Sequence, residues 1–235
     1  MIEADRIRFM QEWLREQGCD FDHVEGVLVS DSTCVPQYDR AARLSRYGFN
    51  LTETEIGCFL SHRSCWQKIA ESGEPGLILE SDAFLREGLQ LEEVLGWVEK
   101  NSKYFDMVRL FGTFETNEKV NRVLVESPGV GKLVQSLGDP MGAVAYVISP
   151  KAAKKLLESS IRFHSPVDVF LGSTWLHKLR FRGIKPYPFT LADFPSTIGS
   201  RRRPRQSTME RLKIELCRCV DDVRRILYIP FHFFR

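Results

Sequence analysis

Gly73-Glu74-Pro75-Gly76-Leu77-Ile78-Leu79-Glu80-Ser81-Asp82 is the stretch on which the reading of this chain turns. Gly73 to Gly76 is a turn signal, and Leu77-Ile78-Leu79 is a continuous apolar run too short for a helix, which suits a strand buried on both faces of a parallel sheet. The run stops at two carboxylates, Glu80 and Asp82, separated by one serine. Just upstream, Thr52 and Glu55 stand at capping-box spacing, and Ile56, Phe59, Leu60, Trp66 and Ile69 continue as an apolar stripe. A helix is therefore expected to open at Thr52 and to end at Ser72-Gly73, feeding the strand through the turn.

The same alternation extends outward. Ile7, Met10, Trp13 and Leu14 recur at helical spacing between Ala4 and Gln17, with Gly18 as a stop signal. Phe21 to Val29 reads as a short strand, Leu91 to Lys100 as a helix, and Met107 to Phe111 and Val144 to Ile148 as strands. Ser149-Pro150 caps a helix running to Ser159, a short helix is expected from Pro166, and Lys185 to Leu191 is an extended, proline-bearing segment. Strands alternating with helices predict an α/β fold with a mostly parallel central sheet.

The chain of 235 residues is 43% hydrophobic and 27% charged, the composition of one large globular domain or two small ones. Its net charge of +2 is unevenly spread: residues 200–235 carry ten Lys or Arg against four Asp or Glu, while residues 1–199 carry 23 against 27. The division expected from composition is a globular body over residues 1–199 and a basic amphipathic tail over 200–235. Six cysteines, with no C-x-x-C pair and no zinc-finger spacing, point to reduced thiols in the cytoplasm. No apolar segment reaches the length of a membrane-spanning helix, and the first residues show no signal-peptide pattern.

In open α/β sheets, ligands bind beyond the carboxyl ends of the strands. Two carboxylates there, at i and i+2, can reach one hard divalent cation such as Mn2+ or Mg2+. Such an ion, bridging two phosphates, offsets the charge gathering on a departing diphosphate. The alternative for Glu80 and Asp82 is a solvated polar turn.

The context is more specific. Leu51-Thr52-Glu53-Thr54-Glu55-Ile56-Gly57-Cys58-Phe59-Leu60-Ser61-His62, then Trp66, then Ile78-Leu79-Glu80-Ser81-Asp82, resembles glycosyltransferase family 25, whose segment reads approximately Gly-Glu-x-Gly-Cys-x-x-Ser-His, with a Trp four residues on and a Glu-Asp-Asp strand end. Gly142 to Ser149 with Lys151-Ala152 is similar to that family's Gly-x-x-x-Tyr-x-Ile-Ser-x-x-Ala block, and Pro166-Val167-Asp168 recurs likewise. The resemblance spans residues 4 to 199. It implies a GT-A-like, Rossmann-type domain that binds a UDP-sugar with a divalent cation, and transfer of a hexose, galactose foremost, to a lipooligosaccharide or other cell-surface glycan. It implies Asp82 as metal ligand, Glu80 as second ligand or ribose contact, Arg6 in the place of the family's arginine, and Ser61 and His62 as residues holding donor or acceptor hydroxyls. Ser81 stands where the family has Asp, Thr54 where it has Gly, and the family's opening strand has no counterpart ahead of Arg6.

Inverting transfer requires a carboxylate to take the acceptor's proton. Asp168, at the start of the short helix, is the candidate base, or else a cap favoured by the helix dipole; Asp193 is the reserve. Trp66 and Trp175 are candidates for stacking on a sugar, or for the core. In the tail, Met209, Leu212, Leu216, Cys219, Val223 and Leu227 share one helical stripe among basic residues. Such a helix can lie on an anionic membrane surface, on the inner face of the bacterial inner membrane here, or pack against the body. Nucleic acid is not expected as a partner, because the body is acidic and carries no nucleic-acid-binding pattern. Two functions remain: an active, metal-dependent transferase, or a catalytically impaired relative that binds nucleotide or membrane as an assembly component.

Overall fold

The computed structural model describes residues 2–113, 121–136, 141–192 and 207–233. Helix α1 (Ile2–Glu16) stops at Gly18, whose φ of 65° needs a residue without a Cβ. Helix α2 (Arg40–Tyr47) begins on an Asp39 side chain that accepts the Ala42 N–H. Helix α3 (Glu53–Ser72) carries the expected capping box: the Thr52 hydroxyl accepts the Glu55 N–H, and the Glu55 carboxylate accepts the Thr52 N–H. It ends on Gly73 in the left-handed conformation, and β1 (Gly76–Leu79) follows.

After β1 come β2 (Ala83–Leu85), α4 (Leu91–Lys100), β3 (Met107–Arg109), β4 (Asn121–Ser127), β5 (Gly131–Ser136) and β6 (Ala145–Ile148). Helix α5 (Pro150–Ser159) opens as expected on Ser149, whose side chain accepts the Ala152 N–H, with Pro150 in the first turn. Then follow α6 (Val167–Gly172), α7 (Thr174–His177), β7 (Phe181–Lys185), β8 (Phe189–Leu191) and α8 (Thr208–Phe233).

Six strands form one sheet in the order β1-β6-β3-β7-β5-β4, and β2 pairs with β8 in a separate two-stranded sheet. The expectation of a mostly parallel sheet is corrected here. Among the described strands of this sheet only β3 and β7 pair in parallel; the pairs β1–β6, β3–β6, β5–β7 and β4–β5 are antiparallel. β1 and β3, the strands linked through α4, do run in the same direction, as a strand-helix-strand unit should. The later strand β6 is inserted between them in the opposite sense, and the hairpin β4–β5 adds a further antiparallel pair. Order along the chain shows the alternation but not the insertion.

Side-chain alternation on the central strands divides the core in two. Val108, Ala145 and Val147 face the cluster containing Met10 and Leu14 of α1 and Leu91, Val94 and Val98 of α4. Ile78, Met107, Tyr146 and Ile148 face the cluster containing Phe59 and Trp66 of α3, Leu156 of α5 and Phe170 of α6. The sheet is thus covered on both faces, which explains the unbroken apolar run at Leu77-Ile78-Leu79 even in an antiparallel setting. On the second face the rings of Phe59 and Phe163 stack at 3.8 Å, and Phe59 meets Trp66 edge-on at 5.9 Å.

Phe21 to Val29, read from sequence as a strand, is not part of a sheet. It crosses α3 instead: the Val27 N–H donates to the Ser61 hydroxyl at 2.8 Å. A Cβ on Gly57 would lie 2.3 Å from the Val27 carbonyl oxygen, so the approach requires glycine on α3.

Helix α8 packs on α2 and α7 through Ile214, which is buried, and Asp221, which meets Arg46 and the Tyr47 hydroxyl at 3.5 Å each. Its stripe of Met209, Leu212, Leu216, Val223 and Leu227 is on the outside, each residue more than half exposed. No helix among the described residues is long and apolar enough to cross a membrane.

Candidate functional site

The site forms where β1 ends. The Glu80 N–H donates to the Val144 carbonyl at 2.8 Å, continuing the pairing of β1 with β6, and the Ala83 N–H then bonds back to the Glu80 carbonyl at 3.0 Å. This closes a turn of Glu80, Ser81, Asp82 and Ala83. Its far side is tied down by β2 on β8 and by the Ala192 N–H on the Asp82 carbonyl at 2.8 Å. Both carboxylates therefore project from a turn whose two ends are fixed by separate sheets.

Glu80 meets His62 of α3, Oε1 to Nε2 at 3.2 Å. Asp82 meets Arg6 of α1, Oδ2 to a guanidinium nitrogen at 2.5 Å, with the Arg6 side chain buried. The other Asp82 oxygen, Oδ1, is buried and has no hydrogen-bond partner among the described residues. Burial first, and repulsion from Glu80 second, raise the Asp82 pKa above the ordinary carboxylate value despite the arginine. One guanidinium does not fully compensate this pair of carboxylates.

A buried carboxylate oxygen without a partner, beside a second carboxylate, is a donor set suited to a hard divalent cation. Asp82 Oδ1 and Glu80 are the atoms that would hold it, with Arg6 competing for the remaining Asp82 oxygen. Cys58, His62 and Glu80 also place one sulfur, one nitrogen and one oxygen within 4.8 Å of one another. The Cys58 thiol, however, is pushed far above its ordinary pKa by burial and then by Glu80, Asp168, Asp82 and Glu55, which keeps it protonated and a poor metal ligand.

The charge of Asp168, on α6, adds to those of Glu80 and Asp82 in raising the Cys58 thiol's pKa, and its Oδ1 accepts the Val169 N–H at 2.8 Å. Ser61, one residue from His62, is turned to the backbone: its hydroxyl donates to the Gly57 carbonyl and accepts the Val27 N–H, both at 2.8 Å. Trp66 is fully buried in the core and has no face for a sugar, and Trp175 lies half-buried on α7. Asp193 and the run Arg201 to Arg205 lie outside the described residues.

Two features of the site were not read from the sequence. One is the ion pair between Arg6 and Asp82, which joins α1 to the acidic turn. The other is a buried chain in which Trp66 Nε1 lies 2.9 Å and His62 Nδ1 2.8 Å from the Tyr146 hydroxyl. His62 and Trp66 are four residues apart, on one face of α3, and that spacing was the available signal.

The family described as glycosyltransferase family 25 (LPS biosynthesis protein) matches residues 2–171, and the chain belongs to that family. The probable inactive glycosyltransferase 25 family member 3 of Bos taurus is 34% identical over 128 residues, which is 53% of this chain and 21% of that protein. Procollagen galactosyltransferase 1 of Danio rerio is 30% identical over 131 residues, again 53% of this chain and 21% of the relative. The lipooligosaccharide biosynthesis protein lic2B of Haemophilus influenzae is 34% identical over 111 residues, 45% of this chain and 41% of the relative. The chain thus spans about a fifth of the two animal relatives and less than half of the bacterial one.

Proposed function

We propose that this protein transfers a hexose, galactose foremost, from a UDP-sugar to a lipooligosaccharide or other cell-surface glycan, with Mn2+ or Mg2+ held by Asp82 and Glu80. The observation that carries this reading is the buried, unpartnered Asp82 Oδ1 next to Glu80 in a turn pinned from both sides. The cation would supply neutralisation of the diphosphate as its bond to the sugar breaks. Arg6, beside Asp82, adds a fixed positive charge at the same place. Asp168, whose charge acts on Cys58 with those of Glu80 and Asp82, is the residue proposed to take the acceptor hydroxyl's proton, with Asp193 in reserve.

Binding of UDP measured with and without Mn2+, in the natural chain and in Asp82→Asn, tests this. Cation-dependent binding that falls at least tenfold in the variant supports the assignment; cation-independent binding, or binding unchanged by the substitution, refutes it. Turnover with a panel of sugar nucleotides then identifies the donor.

The second reading, a catalytically impaired member that binds nucleotide or membrane as an assembly component, is favoured by two observations: Ser81 removes one negative charge from the turn, and Arg6 already engages one Asp82 oxygen. UDP binding without turnover of any sugar nucleotide is its signature. In both readings we propose that the protein works at the anionic, cytoplasmic face of the membrane that carries the acceptor, a reading supported by the exposed apolar stripe of α8.

A further inference from the structure

The Tyr146 hydroxyl is fully buried and lies within hydrogen-bond distance of two nitrogens, Trp66 Nε1 at 2.9 Å and His62 Nδ1 at 2.8 Å. An indole nitrogen only donates, so the Trp66 contact must be N–H to the tyrosine oxygen. The tyrosine's own proton then has one acceptor among the described residues, His62 Nδ1. Leaving a buried hydroxyl proton without an acceptor costs about 1–3 kcal/mol, so Nδ1 is held as the acceptor and the ring's proton resides on Nε2. Nε2 faces Glu80 Oε1 at 3.2 Å. The direction of every proton in the row is thereby set by the one group that cannot reverse, the Trp66 indole.

We propose that Trp66, Tyr146 and His62 form a one-way hydrogen-bond relay that makes His62 a positioning residue for Glu80, holding Oε1 and leaving Oε2 for the cation and the donor. This rests on the reading of Glu80 as a ligand of the donor site. All three relay members sit on rigid elements, two on α3 and one on β6, and all three are buried. The relay also excludes His62 as a metal ligand. Coordination through Nε2 would move the ring's proton to Nδ1 and turn that nitrogen into a donor toward Tyr146, leaving the tyrosine proton without a partner. The Cys58, His62 and Glu80 cluster is accordingly a carboxylate held by a histidine, not a thiophilic metal site.

The tautomer is read directly from the 15N signals of the His62 ring in the ligand-free protein. Protonated Nε2 with unprotonated Nδ1 is expected in the natural chain, with loss of that bias in Tyr146→Phe. Mn2+ binding followed by electron paramagnetic resonance should weaken roughly tenfold in His62→Leu, the size expected for one hydrogen bond to a charged group, and recover to within a few-fold in His62→Gln, whose amide restores a donor. A ring proton on Nδ1 in the natural chain, or Mn2+ binding by folded His62→Leu equal to that of the natural chain, overturns the proposal. The NMR measurement needs neither nucleotide nor turnover. A relay with the expected tautomer in a protein that binds no UDP would therefore refute the transferase reading while leaving the relay in place.

Discussion

Arg6 and Asp82 are 2.5 Å apart at the point where α1 crosses the acidic turn, and both side chains are largely withdrawn from water. Separating such a pair leaves a buried charge without its partner, which typically costs 3–5 kcal/mol. The substitution Arg6→Gln is expected to lower stability by about 3 kcal/mol by this argument. Because Asp82 then lacks a counter-charge, Mn2+ should restore more of the loss in the variant than it adds to the natural chain. Denaturant unfolding with and without Mn2+ checks both statements. A cation-insensitive variant would show that the arginine is purely structural and that no ion enters beside it.

Gly57 is held to its identity by the segment that crosses α3. Alanine there would place its Cβ 2.3 Å from the Val27 carbonyl oxygen, a backbone atom that moves only with the whole segment. Gly57→Ala should cost about 1–3 kcal/mol through overpacking, partly offset by the better helix propensity of alanine. Faster hydrogen exchange at the Val27 amide, whose bond to Ser61 depends on the same approach, is the accompanying sign. An unchanged exchange rate at Val27 with unchanged stability would show that the segment is not clamped by α3.

These two residues also mark what could be read from sequence and what could not. The ends of α3 and α5 were legible because their signals are local: Thr52 and Glu55 three apart, Gly73 after Ser72, Ser149 before Pro150. The acidic turn was legible for the same reason, as an apolar run that stops at Glu80. The insertion of β6 between β1 and β3 was not, since strand order is decided by contacts between segments distant in sequence. Phe21 to Val29 reads as a strand from its share of apolar residues, but it joins no sheet and its Val27 N–H is taken up by Ser61 of α3 instead. Likewise, Arg6 and Asp82 are too far apart in sequence for any spacing argument to join them. The pair His62 and Trp66, one turn apart on the buried face of α3, was visible in principle and gained meaning only with Tyr146 opposite.

His177 is a buried base with no opposing charge in contact. Its Nε2 donates to the Leu171 carbonyl at 3.1 Å, its Nδ1 accepts the Leu179 N–H at 3.3 Å, and burial lowers its pKa to about 4. The unfolded chain takes up that proton near pH 6.5, whereas the folded chain resists it until about pH 4. Stability from this group is complete above pH 6.5 and is lost progressively as the pH falls toward 4, amounting to about 3 kcal/mol over the window. Urea unfolding at pH 7 and pH 5 should show the decline, and His177→Gln should flatten it. A variant whose stability falls with pH as steeply as that of the natural chain would assign the effect to other groups.

Helix α8 presents the body with one face and its apolar stripe to the outside. Among the described side chains Ile214 is buried and Asp221 bonds to α2, whereas Met209, Leu212, Leu216, Val223 and Leu227 are each more than half exposed. Residues at this spacing form a continuous apolar line, and the exposed Lys213 and Arg224 stand beside it at helical spacing. Apolar residues bordered by cations suit a surface that is oily beneath and negative above, and each basic residue near the headgroups adds about 1 kcal/mol. The protein should therefore sediment with vesicles containing anionic lipid, less so with zwitterionic ones, and salt should weaken the association. Replacing Leu212, Leu216 and Val223 together by Ser should abolish sedimentation while leaving UDP binding intact, since none of the three touches the acidic turn. Sedimentation equal in the triple variant and the natural chain would remove the membrane role. A natural chain that instead dimerises through this stripe in vesicle-free solution would assign the face to a second copy.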